Sequence, residues 1–149
     1  MAEKDHIEKA PDRLLRGDDE QGFVNVLAKR IGKRNIQVRK AFSGFEAIQI
    51  LREEKFDVAV LDLKMEDMDG IEVLKVFKLM EPQMPVIMLT GHGSETAARE
   101  GIEFGAFDYL EKPFEIEALQ LTVANALRLA AEGAEGRLVE RIAEGLGRG

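Results

Sequence analysis

The chain has 149 residues, 45% apolar and 33% charged, the size of one domain able to bury its own core, and its lack of cysteine excludes disulfide staples and thiol catalysis. A net charge of -7 argues against binding along a nucleic-acid backbone, which calls for a basic face, so the expected partners are proteins or small phosphate donors and no direct nucleic acid. No run reaches the roughly 20 apolar residues of a membrane helix and no signal-peptide core opens the chain, so the expectation is a soluble, cytoplasmic protein without a membrane partner.

Residues 1–12 mix charges with Pro11 and show no apolar period, which predicts a flexible N-terminal segment. From Arg13 to residue 129, short apolar runs alternate with longer segments of helical period. Leu14-Leu15 is the first run, with Asp18-Asp19 directly beyond it; Phe23, Leu27 and Ile31 then share a helix face that Gly32 can end. Ile36 to Val38 is the second run. Ser43 and Glu46 have capping-box spacing, in which each side chain satisfies a backbone donor, and predict a helix from near 44 with Ala47, Ile48 and Leu51 on one face. Phe56 to Leu61 is the third run and leads to Asp62; its last four residues are unbroken apolar, as in a strand buried on both faces. Asp69 and Glu72 form a looser acidic cap and predict a helix from near 70, with Val73, Val76, Phe77 and Met80 on one face and Pro82 beyond its end. Val86 to Leu89, the fourth run, ends at Thr90. Phe107 to Leu110, the fifth, is followed by Lys112-Pro113, and Ile116, Leu119, Val123 and Leu127 mark a final helix.

Five strands alternating with five helices through short loops specify an α/β fold, a parallel sheet covered on both faces because right-handed crossovers must use both sides. Ligands in such sheets sit beyond the carboxyl ends of the strands, where strand order reverses. Asp18-Asp19, Asp62, Thr90 and Lys112 all follow runs and so converge at that edge. Three converging carboxylates repel one another unless a cation joins them, and hard oxygen donors favour Mg2+ over zinc. Mg2+ accepts substrate oxygens, so the cluster reads as a phosphoryl-transfer site. Asp62 can take the group as an acyl phosphate, with the Lys112 ammonium and the Thr90 hydroxyl as donors to it.

The segments Asp18-Asp19-Glu20, Leu61-Asp62-Leu63-Lys64-Met65-Glu66-Asp67-Met68-Asp69-Gly70, Leu89-Thr90-Gly91-His92-Gly93 and Gly105-Ala106-Phe107-Asp108-Tyr109-Leu110-Glu111-Lys112-Pro113-Phe114 resemble, in this order, the CheY-like receiver domain of bacterial two-component response regulators. The resemblance covers residues 13–129 and implies a flavodoxin-like (βα)5 three-layer sandwich with strand order 2-1-3-4-5. It implies a phosphoacceptor that takes its group from a sensor histidine kinase or phosphotransfer protein with Mg2+ and catalyses only its own phosphorylation and dephosphorylation. Asp62 matches the phosphoacceptor, Asp19 the direct metal ligand, Asp18 the acid holding metal-bound water, and Lys64 the residue whose main-chain carbonyl completes the Mg2+ shell. Lys112 matches the lysine that pairs with the phosphoryl group, and its bond to Pro113 is expected to be cis. Thr90 and Tyr109 match the switch hydroxyl and switch aromatic. Phosphorylation then shifts the population of a face built from the fourth helix, fifth strand and fifth helix, read by a downstream protein or by an output domain absent from this chain. Homodimerisation through the same face is a further expectation.

Three features depart from the family pattern. Arg16-Gly17 replace the apolar residues that usually precede the acidic pair; the reading is an irregular or shortened strand end that still places Asp18 and Asp19. The sharper reading is impaired Mg2+ binding, which would make the chain a degenerate receiver, a phosphorylation-independent interaction module. Glu66 stands where the family usually has proline, which loosens the loop beyond Asp62, and Lys64 and His92 occupy positions that tune loss of the phosphoryl group. A Mg2+-dependent aspartyl-phosphate phosphatase is a further alternative, but it wants a second acid two residues after the nucleophile, where this chain has Lys64. In the tail, 130–149, glycines at 133, 136, 145, 147 and 149 interrupt a stripe of Leu138, Val139, Ile142 and Leu146, and a helix that short is marginal in water, so a flexible or partly helical segment is expected.

Overall fold

The computed structural model describes residues 12–17, 36–65, 67–91 and 95–148, beyond Glu132 as backbone alone. The elements run β1 (Asp12–Gly17), β2 (Ile36–Ala41), α1 (Gly44–Glu53), β3 (Val58–Asp62), α2 (Gly70–Met80), β4 (Val86–Thr90), α3 (Glu95–Glu103), β5 (Asp108–Glu111) and α4 (Ile116–Arg148). All four strand pairings are parallel and the sheet order is β2-β1-β3-β4-β5. The fold is the flavodoxin-like α/β arrangement, and its order reverses at β1, so a crevice opens where β1 and β3 end. The predicted lead-in, 1–11, and the predicted first helix, which falls in 18–35, lie outside the described residues; α1 to α4 are therefore the second to fifth helices of the predicted series.

Strand alternation divides the core in two. Ala59, Leu61, Val86 and Met88 face the layer built by α1 and α2, where Ala47, Ile50, Leu51, Val73, Leu74 and Phe77 are buried against them. Val58, Val60, Ile87 and Leu89 face the opposite way and pack on Leu119, Val123 and Ala126 of α4. Every residue of β3 and β4 is buried, the expected state of central parallel strands. Burying one such side chain contributes about 1.5–3 kcal/mol, so these two clusters hold the fold.

The helix starts have local causes. Ser43 caps α1, its Oγ accepting from the Glu46 N–H at 3.0 Å, and Asp69 caps α2, accepting from the Ile71 N–H at 2.9 Å. Glu46 reaches back one residue further than a capping box requires, to the Phe42 N–H at 3.5 Å. Glu72 pairs with Lys75 at 3.2 Å and leaves the cap to Asp69 alone.

One expectation needs correcting. β1 is neither irregular nor shortened at Arg16-Gly17: Gly17 stays in register with Ala41 on one side and Leu61 on the other. The glycine leaves space for a packed neighbour, since a Cβ there would sit 3.1 Å from the Leu61 Cδ1. Beyond residue 130, where a flexible or partly helical segment is expected, α4 continues to Arg148 as one 33-residue element. The alanine, leucine, glutamate and arginine residues between its glycines are strong helix formers, and the segment extends a helix already nucleated and packed, so it avoids the cost of starting a new one. Among the described residues no helix is long and apolar enough to cross a membrane.

Candidate functional site

Asp62 ends β3 and is 4% exposed. The β3–β4 ladder continues one step past it, the Leu63 N–H donating to the Leu89 carbonyl at 3.0 Å, so the carboxylate is held at the sheet edge and cannot swing away with a loose loop. Its Oδ1 accepts from the Lys64 N–H at 2.9 Å, and its Oδ2 accepts from the Lys112 Nζ. Lys112 comes from the end of β5, fifty residues along the chain. It is placed there by its own N–H, which donates to the Thr90 carbonyl at 2.7 Å, and the Lys112–Pro113 peptide is cis. A half-buried ammonium against a buried carboxylate is a charge-assisted contact, shorter and stronger than a neutral one.

Thr90 ends β4 and is 1% exposed. Its hydroxyl donates weakly to the Leu110 carbonyl at 3.4 Å, a bond long enough to be exchanged for a better acceptor. Tyr109, one residue before Leu110 on β5, is 41% exposed. Between them lies a cavity of about 480 Å³ lined by Thr90, Ala98, Arg99, Ile102 and Tyr109 among others. Asp62, Lys64, Thr90 and Lys112 therefore meet at one edge, and Tyr109 borders the space next to it. Asp18 and Asp19 are the next two residues after Gly17 but lie outside the described residues, as do Glu66 and His92.

Asp67 is the residue that sequence reasoning passed over. Its Oδ1 accepts from the Gly44 N–H and its Oδ2 from the Phe45 N–H, both at 2.9 Å. These amides of the α1 N-terminus hold its carboxyl below the ordinary carboxylate range. The contact joins residues more than twenty positions apart, so no local spacing announces it.

The response regulator receiver domain family matches residues 15–124. The chain belongs to this family. The receiver is 36% identical over 132 residues to the transcriptional regulatory protein GlrR of Escherichia coli (strain K12), an alignment covering 89% of this chain and 30% of that protein. It is 37% identical over 114 residues to ZraR of Klebsiella oxytoca, covering 76% of this chain and 26% of that protein. Among solved structures, NtrX from Brucella abortus matches with a TM-score of 0.82 at 27% identity, over 87% of this chain and 29% of that one. The receiver domain of Francisella response regulator 1452 matches with a TM-score of 0.73 at 31% identity, over 78% and 97%. The receiver thus spans less than a third of the length of these two curated relatives.

Proposed function

We propose that this receiver accepts a phosphoryl group on Asp62 from a sensor histidine kinase or phosphotransfer protein and signals by the change that follows at Thr90 and Tyr109. The observation that carries the reading is the buried Asp62 carboxylate at the end of the central strand, with the Lys112 ammonium on one oxygen and the Lys64 amide on the other. A carboxylate oxygen attacks phosphorus, the P–O bond of an acyl phosphate forms, and the P–N bond to the donor imidazole breaks with its electron pair leaving on nitrogen. Lys112 then shifts its charge toward the phosphoryl oxygens. Thr90 exchanges its long bond to Leu110 for one of those oxygens.

Mg2+ fits this donor set. The Asp62 carboxylate uses one lone pair on each oxygen for its present partners and keeps others, and the Lys64 main-chain carbonyl would add a second hard oxygen. Asp18 and Asp19 follow in the chain directly beyond Gly17, whose pairing with Leu61 brings β1 to its end beside Asp62, so they are the proposed remaining ligands. When bound, the ion neutralises charge on the phosphoryl oxygens.

The output is carried by the face of α3, β5 and α4. The relatives that extend beyond the receiver are transcriptional regulators by name, which supports an output domain acting on transcription and a cytoplasmic setting.

The test is exposure to a small acyl-phosphate donor with Mg2+, read by intact mass. Wild type is expected to gain one phosphoryl group and Asp62→Asn none. A folded wild type that gains nothing would establish the degenerate-receiver alternative.

A further inference from the structure

We infer that Asp67 is a positioning residue that clamps the loop following Asp62 to the N-terminal turn of α1 and thereby sets the Lys64 main chain against the Asp62 carboxylate. The inference rests on the reading of Asp62 as phosphoacceptor for its consequence, though not for its geometry.

The loop runs from Leu63 to Asp69 and is pinned at both ends. The Gly70 N–H donates to the Leu63 carbonyl at 3.0 Å, and Lys64 and Asp69 form an antiparallel bridge. The tip between them carries Asp67, which takes two amides of another element in a fork, Gly44 and Phe45 at 2.9 Å each. Those amides belong to the first turn of α1 and have no acceptor within their own helix, so a carboxylate placed there satisfies two donors and meets the positive end of the helix dipole.

The joint is tight as well as polar. A Cβ on Gly44 would lie 2.8 Å from the Val73 Cγ2 and 3.0 Å from the Met68 Cβ, so α1, the loop and α2 touch without room for a side chain between them. Releasing Asp67 frees the tip of a loop whose other end donates the Lys64 N–H to Asp62. Ser43 offers an internal control. Ser43 caps the same helix through Glu46 but its cap bond does not reach the loop, so Ser43→Ala weakens α1 while leaving the clamp.

The experiment compares Asp67→Ala, Asp67→Asn and Ser43→Ala with wild type in the full chain, by amide hydrogen exchange at Lys64 and by the Mg2+ concentration giving half-maximal labelling with the acyl-phosphate donor. Losing a charge-assisted hydrogen bond predicts exchange at Lys64 about 10-fold faster in Asp67→Ala. Displacing a residue that orients a metal ligand predicts a Mg2+ requirement raised by about 10-fold. Asp67→Asn, which keeps one acceptor oxygen, recovers part of both effects, and Ser43→Ala leaves both near wild type despite a lower melting temperature. Asp67→Ala matching Ser43→Ala in exchange and Mg2+ requirement would overturn the clamp. Should wild type take no label, the phosphoacceptor reading falls while the Lys64 exchange comparison still decides the geometry.

Discussion

Asp67 shows how a single exposed carboxylate acquires a pH signature from the backbone. The Phe45 and Gly44 amides lower its affinity for protons in the folded chain relative to the ordinary value of 3.8. Because the folded-state pKa lies below the unfolded one, the stability it contributes is complete above 3.8 and is lost as pH falls through the folded value. Wild type should therefore lose stability more steeply than Asp67→Asn as pH drops below 3.8, and parallel thermal melts across that range would refute the assignment. At this scale the sequence was legible where chemistry follows a strand. Asp62 and Lys112, fifty residues apart, each end an apolar run, so parallel order alone predicts that they meet. Asp67 was not legible, because its partners are main-chain amides, which every residue carries and which only the folded register brings within reach.

Elements were readable to the degree that their ends carry local signals. α1 and α2 begin at Gly44 and Gly70, directly after Ser43 and Asp69, where cap chemistry predicts them. The continuation of α4 was not readable, because glycine punctuation argues against a new helix while saying little about extending an existing one. Nor was the order at the end of β1 evident, since a glycine that weakens an isolated strand here makes room for Leu61. The junction of β3 and α2 has no room for a side chain: a Cβ on Gly70 would lie 2.4 Å from the Leu63 Cα and 2.9 Å from the carbonyl oxygens of Asp62 and Leu63. These are backbone atoms that carry Asp62, so they cannot move aside without moving the carboxylate. Gly70→Ala should cost about 3 kcal/mol, the upper part of the range for overpacking, in urea unfolding. A loss below about 0.5 kcal/mol, within the scatter of surface substitutions, would show that α2 can shift away from the site.

For the molecule as a whole, the helices are held unequally against the sheet. α1 and α2 bury many large apolar side chains against β1 and β3, whereas α3 buries only Ala98 and Gly101. Gly101 sits so close to β4 that a Cβ would overlap the Met88 side chain, so α3 rests on a narrow seat next to the cavity between Thr90 and Tyr109. Elements with little buried apolar contact are those whose local opening costs least, and the hydroxyl that would be recruited to a phosphoryl group stands at the edge of that seat. Movement of Thr90 toward Asp62 would enlarge the space beside it, and the half-exposed Tyr109 is the side chain placed to fill it. This chain has one tyrosine and no tryptophan, so its intrinsic fluorescence reports Tyr109 alone. Quenching of that fluorescence by acrylamide should fall when beryllofluoride and Mg2+ are added together, and neither should act singly. Thr90→Ala should leave quenching unchanged by the same additions while still allowing the acyl-phosphate donor to label Asp62. If wild type is labelled at Asp62 and quenching stays constant, the population shift does not run through Tyr109.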